Sequence, residues 1–304
     1  MTNKRAVQAF LATSALFLAM SAVNARAQDA SAPAASAQAP AAAPAAPAPQ
    51  AGTRMAGPGH RGGRGGLKAI DTNGDGQTDV YGFGFRGGKS GHEHWGAFTL
   101  GRTGVALDDS LNSPEGIAGT QYVIDMFRTD KVFPPSAPND GFQEIIGAFK
   151  TGVTAMTIHH IGSSNDLVAA LGDKVSATTV PECGGGRWTT FGDESTGVFA
   201  NASDKDAAWK WISFLSSPEN NAQFNTATGQ LPVTRTDSAN WTAHEKRFIE
   251  ATQNSLPFAH LLPPSPATPE FVNTVWPTNM QRALNGEITA EQMNAAIAEL
   301  FAEE

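Results

Sequence analysis

The side chains best suited to chemistry lie in one stretch of the chain, residues 71–95, DTNGDGQTDVYGFGFRGGKSGHEHW. Oxygen-bearing side chains alternate along its first nine residues, with a glycine at the sixth position, as in the calcium loop of an EF-hand. The candidate calcium ligands are Asp71, Asn73, Asp75, Gln77 and Asp79. The twelfth position should be a bidentate glutamate but is Gly82, so a complete EF-hand is not expected. A partial calcium site and a plain Asx-rich turn both remain open.

The glycines that follow match two phosphate-binding patterns in part. Gly82, Gly84 and Gly87 satisfy GxGxxG, but a dinucleotide site also needs a helix directly afterwards, and no helix is predicted here. The GKS at residues 88–90 resembles the end of a P-loop, yet Phe83 stands where that loop needs its first glycine. Neither pattern therefore predicts a nucleotide site.

Two groups of histidines, HEH at residues 92–94 and HH at 159–160, could ligate zinc. The spacing fixes no third ligand, however, and HExxH is absent. A polar rim around a ligand cleft fits the HEH motif better, because Trp95 and Phe98 follow directly. The chain also has no GxSxG motif and no carboxylate pair spaced for glycoside hydrolysis, so the sequence predicts a protein that is not an enzyme.

Composition divides the chain into an export signal, a linker and a globular part. Residues 1–27 have a basic start, an apolar run of about 15 residues and a small-x-small cleavage pattern, which predict a secretory signal and a periplasmic protein. Residues 28–66, rich in Ala and Pro and then in Gly and Arg, predict a disordered linker. Residues 67–304 form the globular part, and no segment there is apolar enough to span a membrane.

Charge narrows the partners of that globular part. Residues 67–304 carry 15 Lys and Arg against 28 Asp and Glu, a balance of −13. Binding nucleic acid needs clustered positive charge, so nucleic acid is excluded as the expected ligand and neutral or cationic solutes are favoured. Cys183 is the only cysteine, so the fold must depend on its apolar core rather than on an internal disulfide.

Local patterns in residues 67–304 predict helices that alternate with short strands, which indicates an α/β fold. Strands are predicted at Val80–Phe85, Val153–Ile158, Val175–Val180 and Thr196–Ala200. Helices are predicted from Ser113-Pro114 to before Phe133, at Gly141–Lys150, at Asp166–Leu171, after a cap at Ser203 and Asp206, from Ser217-Pro218 to Gly229, at Phe271–Leu284 with a kink at Pro277, and after a cap at Thr289 and Gln292.

Three blocks of the chain resemble, in order, the extracellular solute-binding proteins of carbohydrate ABC importers, the family that includes maltose-binding protein. The first is DTNGDGQTDVYGFGFRG, an acidic turn that leads into a Tyr-Gly strand. The second is FQEIIGAFKTGVTAMTIHHIG, which is similar to a helix–strand unit of the family. The third and most specific is TTFGDESTGVFANASDKDAAWKWISFLSSPENNAQFNTATGQLPV. The resemblance covers about 230 of the 304 residues.

The resemblance implies an α/β fold of the periplasmic-binding-protein type II kind, in which two lobes close around a sugar. Such a protein presents the sugar to the permease of an ABC importer and needs no cofactor, apart from the calcium that the acidic loop leaves open. Family members carry roughly a hundred or more further residues before this segment. We therefore expect mainly the C-terminal lobe with the C-terminal helices, most of the N-terminal lobe being absent, and weakened sugar binding.

The resemblance also places the ligand contacts, because sugar rings stack on aromatic side chains at the ends of strands in such clefts. For Trp95 and Trp188 ordinary core packing remains an equal alternative. Trp209 and Trp211 are expected to pack in the core or on the lobe surface. The residues that match cleft-lining segments are Trp95, His159, His160, Trp188, Phe191, Asp193 and Glu194.

Overall fold

A computed structural model describes residues 69–182, 186–192, 195–231 and 243–302. All of these residues belong to one compact unit, His60–Glu304. The predicted signal at 1–27 and the linker at 28–66 precede the described residues, as do residues 67 and 68 at the start of the predicted globular part. Cys183, Asp193 and Glu194 also lie outside them.

The first two predicted strands lie side by side and run in parallel. Isolated bridges join Tyr81 to Thr154 and Gly84 to Thr157. The amides of Tyr81 and Gly84 donate to the carbonyls of Val153 and Met156, each at 2.8 Å. The prediction at 80–85 and 153–158 is therefore right about extended, paired backbone, although the ladder is broken into single bridges.

The only regular sheet among the described residues has two short strands. Strand β1, Thr189–Thr190, pairs in parallel with β2, Ala259–His260. The predictions of strands at Val175–Val180 and Thr196–Ala200 are wrong, since those residues form no strand. A strand requires a neighbouring backbone within hydrogen-bonding reach, which alternation along a single segment cannot reveal.

Helices make up most of the fold, and several begin where local caps predict. The Ser113 hydroxyl accepts the amide hydrogen of Gly116, and Thr289 and Gln292 form a reciprocal capping box. The helices are α1 His92–Thr103, α2 Pro114–Arg128, α3 Phe142–Lys150, α4 Ser164–Leu171, α5 Lys205–Leu215, α6 Pro218–Thr228, α7 Ala243–Gln253, α8 Trp276–Asn285 and α9 Ala290–Ala302.

Three details of the helices differ from the sequence prediction. Helix α1 was not expected, because Gly96 and Gly101 lower its helix propensity and interrupt its apolar pattern. The cap of α5 is Asp204, whose carboxylate accepts the amide hydrogen of Ala207, rather than Ser203. The irregularity expected at Pro277 lies upstream, as a π-helix at Phe271–Val275, and Pro277 sits in the first turn of α8, where its missing N–H is tolerated.

The main core lies between α1, α2, α8 and α9. Phe85 and Phe133 stack in it with their ring centroids 4.6 Å apart, and Trp95 lies against Trp276. A smaller core joins α3, α4 and α7, and its buried members are Ile145, Ile146, Leu167, Val175 and Phe248. None of the described helices is long and apolar enough to cross a membrane.

Helix α5 does not pack as the sequence predicts. Trp209 is 64% exposed and Trp211 is 59% exposed, and no residue of the helix is buried. Of the two alternatives left by the sequence, core packing is therefore wrong for the described residues, since both rings lie at the surface. The amphipathic pattern of AAWKWISFL indicates a face that could pack, but it does not say what covers that face.

Asn294 is the centre of a buried hydrogen-bond network that joins α9 to α2 and to the backbone before α2. Its amide nitrogen donates to the Leu111 carbonyl at 2.7 Å, and its amide oxygen accepts the Thr120 hydroxyl at 2.7 Å. The same hydroxyl accepts the indole N–H of Trp95 at 3.1 Å. The polar groups of Asn294, Thr120 and Trp95 thus satisfy one another and the Leu111 carbonyl inside the core, as their burial requires.

We expect Asn294→Ala to lower the free energy of unfolding by about 2–3 kcal/mol, because the substitution leaves the buried Leu111 carbonyl without its donor and the Thr120 hydroxyl proton without its acceptor. Urea denaturation followed by circular dichroism measures this. Asn285→Ala, at an exposed position, should change stability by less than about 0.5 kcal/mol. Equal effects of the two substitutions would contradict the assigned role of the network.

Candidate functional site

The carboxyl ends of the two parallel-paired segments meet at one edge of the fold. Arg86 directly follows residues 80–85, and His159 directly follows residues 153–158. In α/β proteins this is the edge where ligands bind, because the loops that leave neighbouring parallel strands converge there. The geometry therefore directs attention to the side chains around Arg86 and His159.

His94 ties these two chain ends together. The Arg86 amide donates to His94 Nδ1 at 3.1 Å, and His94 Nε2 lies 2.7 Å from the Ile158 carbonyl, to which it must donate. The imidazole is therefore neutral, with its proton on Nε2, and its burial lowers the pKa of His94 to about 3. Since both ring nitrogens are engaged with the backbone, His94 has no lone pair left for a metal.

His92 is also buried and packs in the main core. Its ring centroid lies 5.4 Å from that of Phe271 and 6.3 Å from that of Trp276, and burial lowers the pKa of His92 to about 4. Within the described ranges, no group of three or more His, Cys, Asp or Glu side chains could hold a metal ion. Both HEH histidines are therefore core residues rather than the polar rim expected from the sequence.

Phe142, the first residue of α3, lies at the centre of the carboxyl-edge cluster, which we define as Arg86, Phe142, His159 and His160. The ring centroids of His159 and His160 lie 4.4 Å and 5.2 Å from that of Phe142. The Arg86 guanidinium carbon lies 5.8 Å from the same centroid. The Phe142 ring is thus in contact with two imidazoles and one guanidinium.

Two buried polar atoms of this cluster have unused hydrogen-bonding capacity. Arg86 Nε and His159 Nε2 are enclosed and have no hydrogen-bond partner, while His159 Nδ1 lies 2.9 Å from the Ser163 hydroxyl. Burial lowers the pKa of Arg86, against the opposing charges of Glu93 and Glu144. Burial, followed by the neighbouring His160, lowers the pKa of His159 to about 4, so its imidazole is neutral at pH 7.

Trp188 and Phe191 lie in a different place, at the two ends of β1. The Trp188 ring is buried over α1, where a methyl group on Gly96 would come within 2.2 Å of it, and it stacks on His260 with centroids 6.1 Å apart. Phe191 follows β1 and is exposed. The structure thus brings His159 and His160 together, and places Trp188 and Phe191 at the small sheet.

Trp95 belongs to the core. Its side chain is 1% exposed, its indole N–H is taken by Thr120, and its ring lies against Trp276. The packing alternative left open by the sequence is therefore the one that the structure shows. No face of this ring is open for stacking on a sugar.

Sequence reasoning missed Arg86 and Phe142 as site residues. A signal for Arg86 was present, since it is the first polar residue after a predicted strand. Phe142 opens the second block of family resemblance, directly after the glycine that begins α3. Neither signal was decisive, because the two residues become neighbours only when the segment at 80–85 pairs with the one at 153–158.

The acidic loop at residues 71–79 is held by its own side chains. Asp71 accepts the amide hydrogens of Asn73, Gly74 and Gly76, and Asp75 accepts that of Gln77. Asn73 and Asp79 play the same part, accepting the amides of Asp75 and Thr72 respectively. The bonds from Gly76 and Gly74 lower the pKa of Asp71. The bonds to amides two residues further on are Asx turns, so the side chains of the loop also hold its backbone.

The calcium alternative predicts a melting temperature that rises when calcium is added to the unmodified chain and does not rise for Asp75→Ala. The reason is linkage, because an ion that binds only the folded loop stabilises it. Asp166→Ala, which removes an exposed carboxylate from α4, is the matched control and should keep the calcium response. An unchanged melting temperature in the unmodified chain would remove the alternative.

The glycines at residues 87, 88 and 91 allow neighbouring backbone segments to pack closely. The amides of Gly87, Gly88 and Gly91 donate to the carbonyls of Ala137, Asp140 and Gly88 at 2.9–3.0 Å. A methyl group on Gly87 would lie 2.3 Å from the Ala137 oxygen. Helix α1 does follow this run, so the absence of a helix was the wrong ground for rejecting a nucleotide site. The rejection rests instead on these amides, which a phosphate would need and which are already engaged.

Comparison with known protein families gives a match over most of the globular part of the chain. The family model for bacterial extracellular solute-binding proteins matches residues 66–249. No curated protein matches the chain by sequence. The matched range contains the carboxyl-edge cluster, the small strand β1 and the helices α1 to α6.

Solved structures of sugar-binding proteins share the fold. The maltose/maltodextrin-binding domain from Bdellovibrio bacteriovorus, bound to maltotriose, aligns with a TM-score of 0.62 at 20% identity, covering 77% of this chain and 62% of that one. A solute-binding protein of an ABC transporter from Thermotoga lettingae, bound to α-D-tagatose, aligns with a TM-score of 0.62 at 21% identity, covering 73% and 58%. A Listeria monocytogenes substrate-binding protein in complex with cycloalternan gives 0.60 at 19%, covering 74% and 59%.

These alignments confirm the predicted fold class, an α/β fold of the solute-binding type II kind. The chain spans only about three fifths of the length of the three structures, 58–62%. At 17–21% identity the likeness speaks for the fold alone, and the sugars named belong to those proteins.

Proposed function

This chain belongs to the bacterial extracellular solute-binding proteins, and we propose that it captures a sugar for an ABC importer and delivers it to the membrane permease. We place it in the periplasm, on the strength of the basic and apolar start of the chain and the cleavage pattern at residues 25–27. Its role is non-enzymatic in this proposal, because recognition and release of the solute are the whole task.

The observation that carries the proposal is the carboxyl-edge cluster. Phe142 presents an aromatic ring beside two imidazoles, and rings of this kind pack against the C–H face of a sugar. Arg86 Nε and His159 Nε2 are polar atoms with no protein partner, as expected of groups that complete their hydrogen bonds on a solute. The cluster also lies at the strand edge where α/β proteins bind ligands.

The family resemblance adds a second group of residues to the proposed site. Phe191 is exposed beyond β1, and Trp188 holds that strand against α1. Asp193 and Glu194 come next in the chain, with carboxylates suited to sugar hydroxyls. We propose that Phe191, Asp193 and Glu194 contact the solute and that Trp188 positions them.

Sugar-dependent stabilisation tests the proposal. Titrating the exported chain with a sugar panel that includes maltotriose, tagatose and cycloalternan should raise its melting temperature, since a solute at 100 times its Kd adds about 2.7 kcal/mol of stability. His159→Ala should weaken binding by about tenfold, the value of one hydrogen bond with its stacking contact. Gln253→Ala, exposed on α7, should bind as the unmodified chain does.

A melting temperature unmoved by every sugar would refute the proposed function and leave the fold intact. Equal weakening by His159→Ala and Gln253→Ala would refute the proposed place of the site. Isothermal calorimetry on the same proteins gives the Kd values directly and separates these two results.

A further inference from the structure

We infer that the solute carries a carboxylate, as a uronic acid or an oligosaccharide of uronic acids does, and that Arg86 is the residue that pairs with it. The inference rests on the proposed function, since it assigns a substrate class to the carboxyl-edge cluster. It departs from the expectation of a neutral or cationic solute, which was drawn from the net charge of residues 67–304 as a whole.

Arg86 holds a charge that no carboxylate in the described part of the chain neutralises directly. The ion pairs recorded there involve Lys150, Arg187, Arg247 and Arg282, and none involves Arg86. The Arg86 guanidinium lies instead over the ring of Phe142, in a cation–π contact. A guanidinium remains protonated in proteins, so the charge persists although burial lowers the pKa of Arg86.

The carboxyl groups on the segments around the cluster are either committed to a hydrogen bond or shifted towards their neutral form. Glu144 Oε2 accepts the amide hydrogen of Gly141 at 3.0 Å and caps α3. Burial raises the pKa of Glu93, against the opposing charge of Arg86. Burial also raises the pKa of Asp140, although the Ser136 hydroxyl donates to it at 3.0 Å. Glu93 and Glu144 therefore moderate the positive charge of Arg86 without forming a salt bridge to it.

The unused polar atoms of the cluster are suited to a charged acceptor: Arg86 Nε is a donor, and His159 Nε2 is a donor in one of its two tautomers. Arg86 Nε can only donate. When the Ser163 hydroxyl donates to His159 Nδ1, the proton of the neutral imidazole lies on Nε2, which then donates as well. A carboxylate offers two acceptor oxygens and brings no proton of its own. A sugar hydroxyl can also accept from these donors, but it carries no negative charge to match that of Arg86.

The Phe142 ring is suited to contact the pyranose ring of such an acidic sugar. The ring lies between the guanidinium and the two imidazoles, so a pyranose ring that rests on Phe142 would hold its carboxylate beside Arg86. Charge-assisted hydrogen bonds to a guanidinium are about twice as strong as neutral ones, so this pairing would dominate selection between an acidic sugar and its neutral parent.

Calorimetry on the full exported chain tests the inference with matched ligands. The pairs are galacturonate with galactose, glucuronate with glucose, and trigalacturonate with α-1,4-linked galactotriose. We expect each acid to bind at least about tenfold tighter than its neutral partner. Raising the salt concentration should weaken binding of the acids and leave the neutral sugars almost unchanged, which tests the inference on the unmodified protein.

Arg86→Gln should weaken acid binding by about 10–100-fold and change neutral-sugar binding by less than about threefold. Arg86→Lys should recover part of the loss, since it restores the charge without the fork of donors. Arg282→Gln, which removes an exposed arginine from α8, should leave both affinities unchanged. Circular dichroism of each variant establishes that it is folded.

The possible results separate the inference from the function beneath it. Neutral sugars that bind as tightly as the acids, or acid binding that is insensitive to salt and to Arg86→Gln, would overturn the inference while the sugar-capture function stands. Binding of neither class would overturn both. A preference for the acids that falls with salt and disappears in Arg86→Gln would establish the substrate class.

Discussion

Replacing Trp95 with alanine should lower the free energy of unfolding by about 3–5 kcal/mol, the usual cost of deleting a large buried ring. Trp95 is 1% exposed and lies in the main core against Trp276. The substitution removes the packing of the ring and leaves the Thr120 hydroxyl without the indole donor. Since a domain of this size is stable by only about 5–15 kcal/mol in total, a substantial unfolded population should follow on mild heating.

Trp209→Ala is the matched control for this prediction, because it deletes the same side chain from an exposed position. The ring is 64% exposed on α5, so we expect a change of about 0.5 kcal/mol or less. Urea denaturation of the two variants, monitored by circular dichroism, measures both values. Losses of similar size in Trp95→Ala and Trp209→Ala would show that the core has been wrongly assigned.

Acid should destabilise the fold through His92 and His94, beginning well above the range where carboxyl groups titrate. Burial lowers the pKa values of these two residues to about 4 and about 3 in the folded state, against 6.5 for the unperturbed side chain. Below pH 6.5 the unfolded chain therefore binds protons that the folded chain does not. Stability is complete above pH 6.5 and falls towards pH 4, by about 1.4 kcal/mol per pH unit for each histidine.

Denaturation curves collected between pH 7.5 and pH 4.5 measure this slope. His92→Leu should reduce it by roughly 1.4 kcal/mol per pH unit, since neither ring nitrogen of His92 has a hydrogen-bond partner to lose. The control His260→Leu lies at an exposed position and leaves both buried histidines in place, so the slope should persist. A pH profile that is flat between 6.5 and 4.5 would contradict the burial of His92 and His94.

The sequence predicted the local features of the fold well. Ser113, Ser217 and Thr289 each mark a helix start, because a capping hydroxyl acts on backbone amides two or three residues away. The family resemblance was likewise read from contiguous blocks of sequence, and the match over residues 66–249 confirms it. These signals do not depend on knowing which segments meet in space.

Predictions that required a partner in space were less successful. Helix α1 escaped notice because its face is chosen by packing against α2 rather than by a regular apolar pattern, which Gly96 and Gly101 interrupt. The strands expected at 175–180 and 196–200 had the right composition and no neighbour to pair with. Trp209 and Trp211 were expected in the core or on the lobe surface, and the described residues leave both rings exposed at the surface.

The site shows the same division. The sequence by itself determined the residue types, the pair of histidines at 159–160 and the family that makes a sugar site reasonable. Only the tertiary structure decided that Arg86 and His159, 73 positions apart, lie against one ring of Phe142, and that Trp95 is enclosed in the core. The reason is physical: caps and turns are set by bonds between near neighbours in the chain. Parallel pairing and burial are set by long-range contacts that no local pattern specifies.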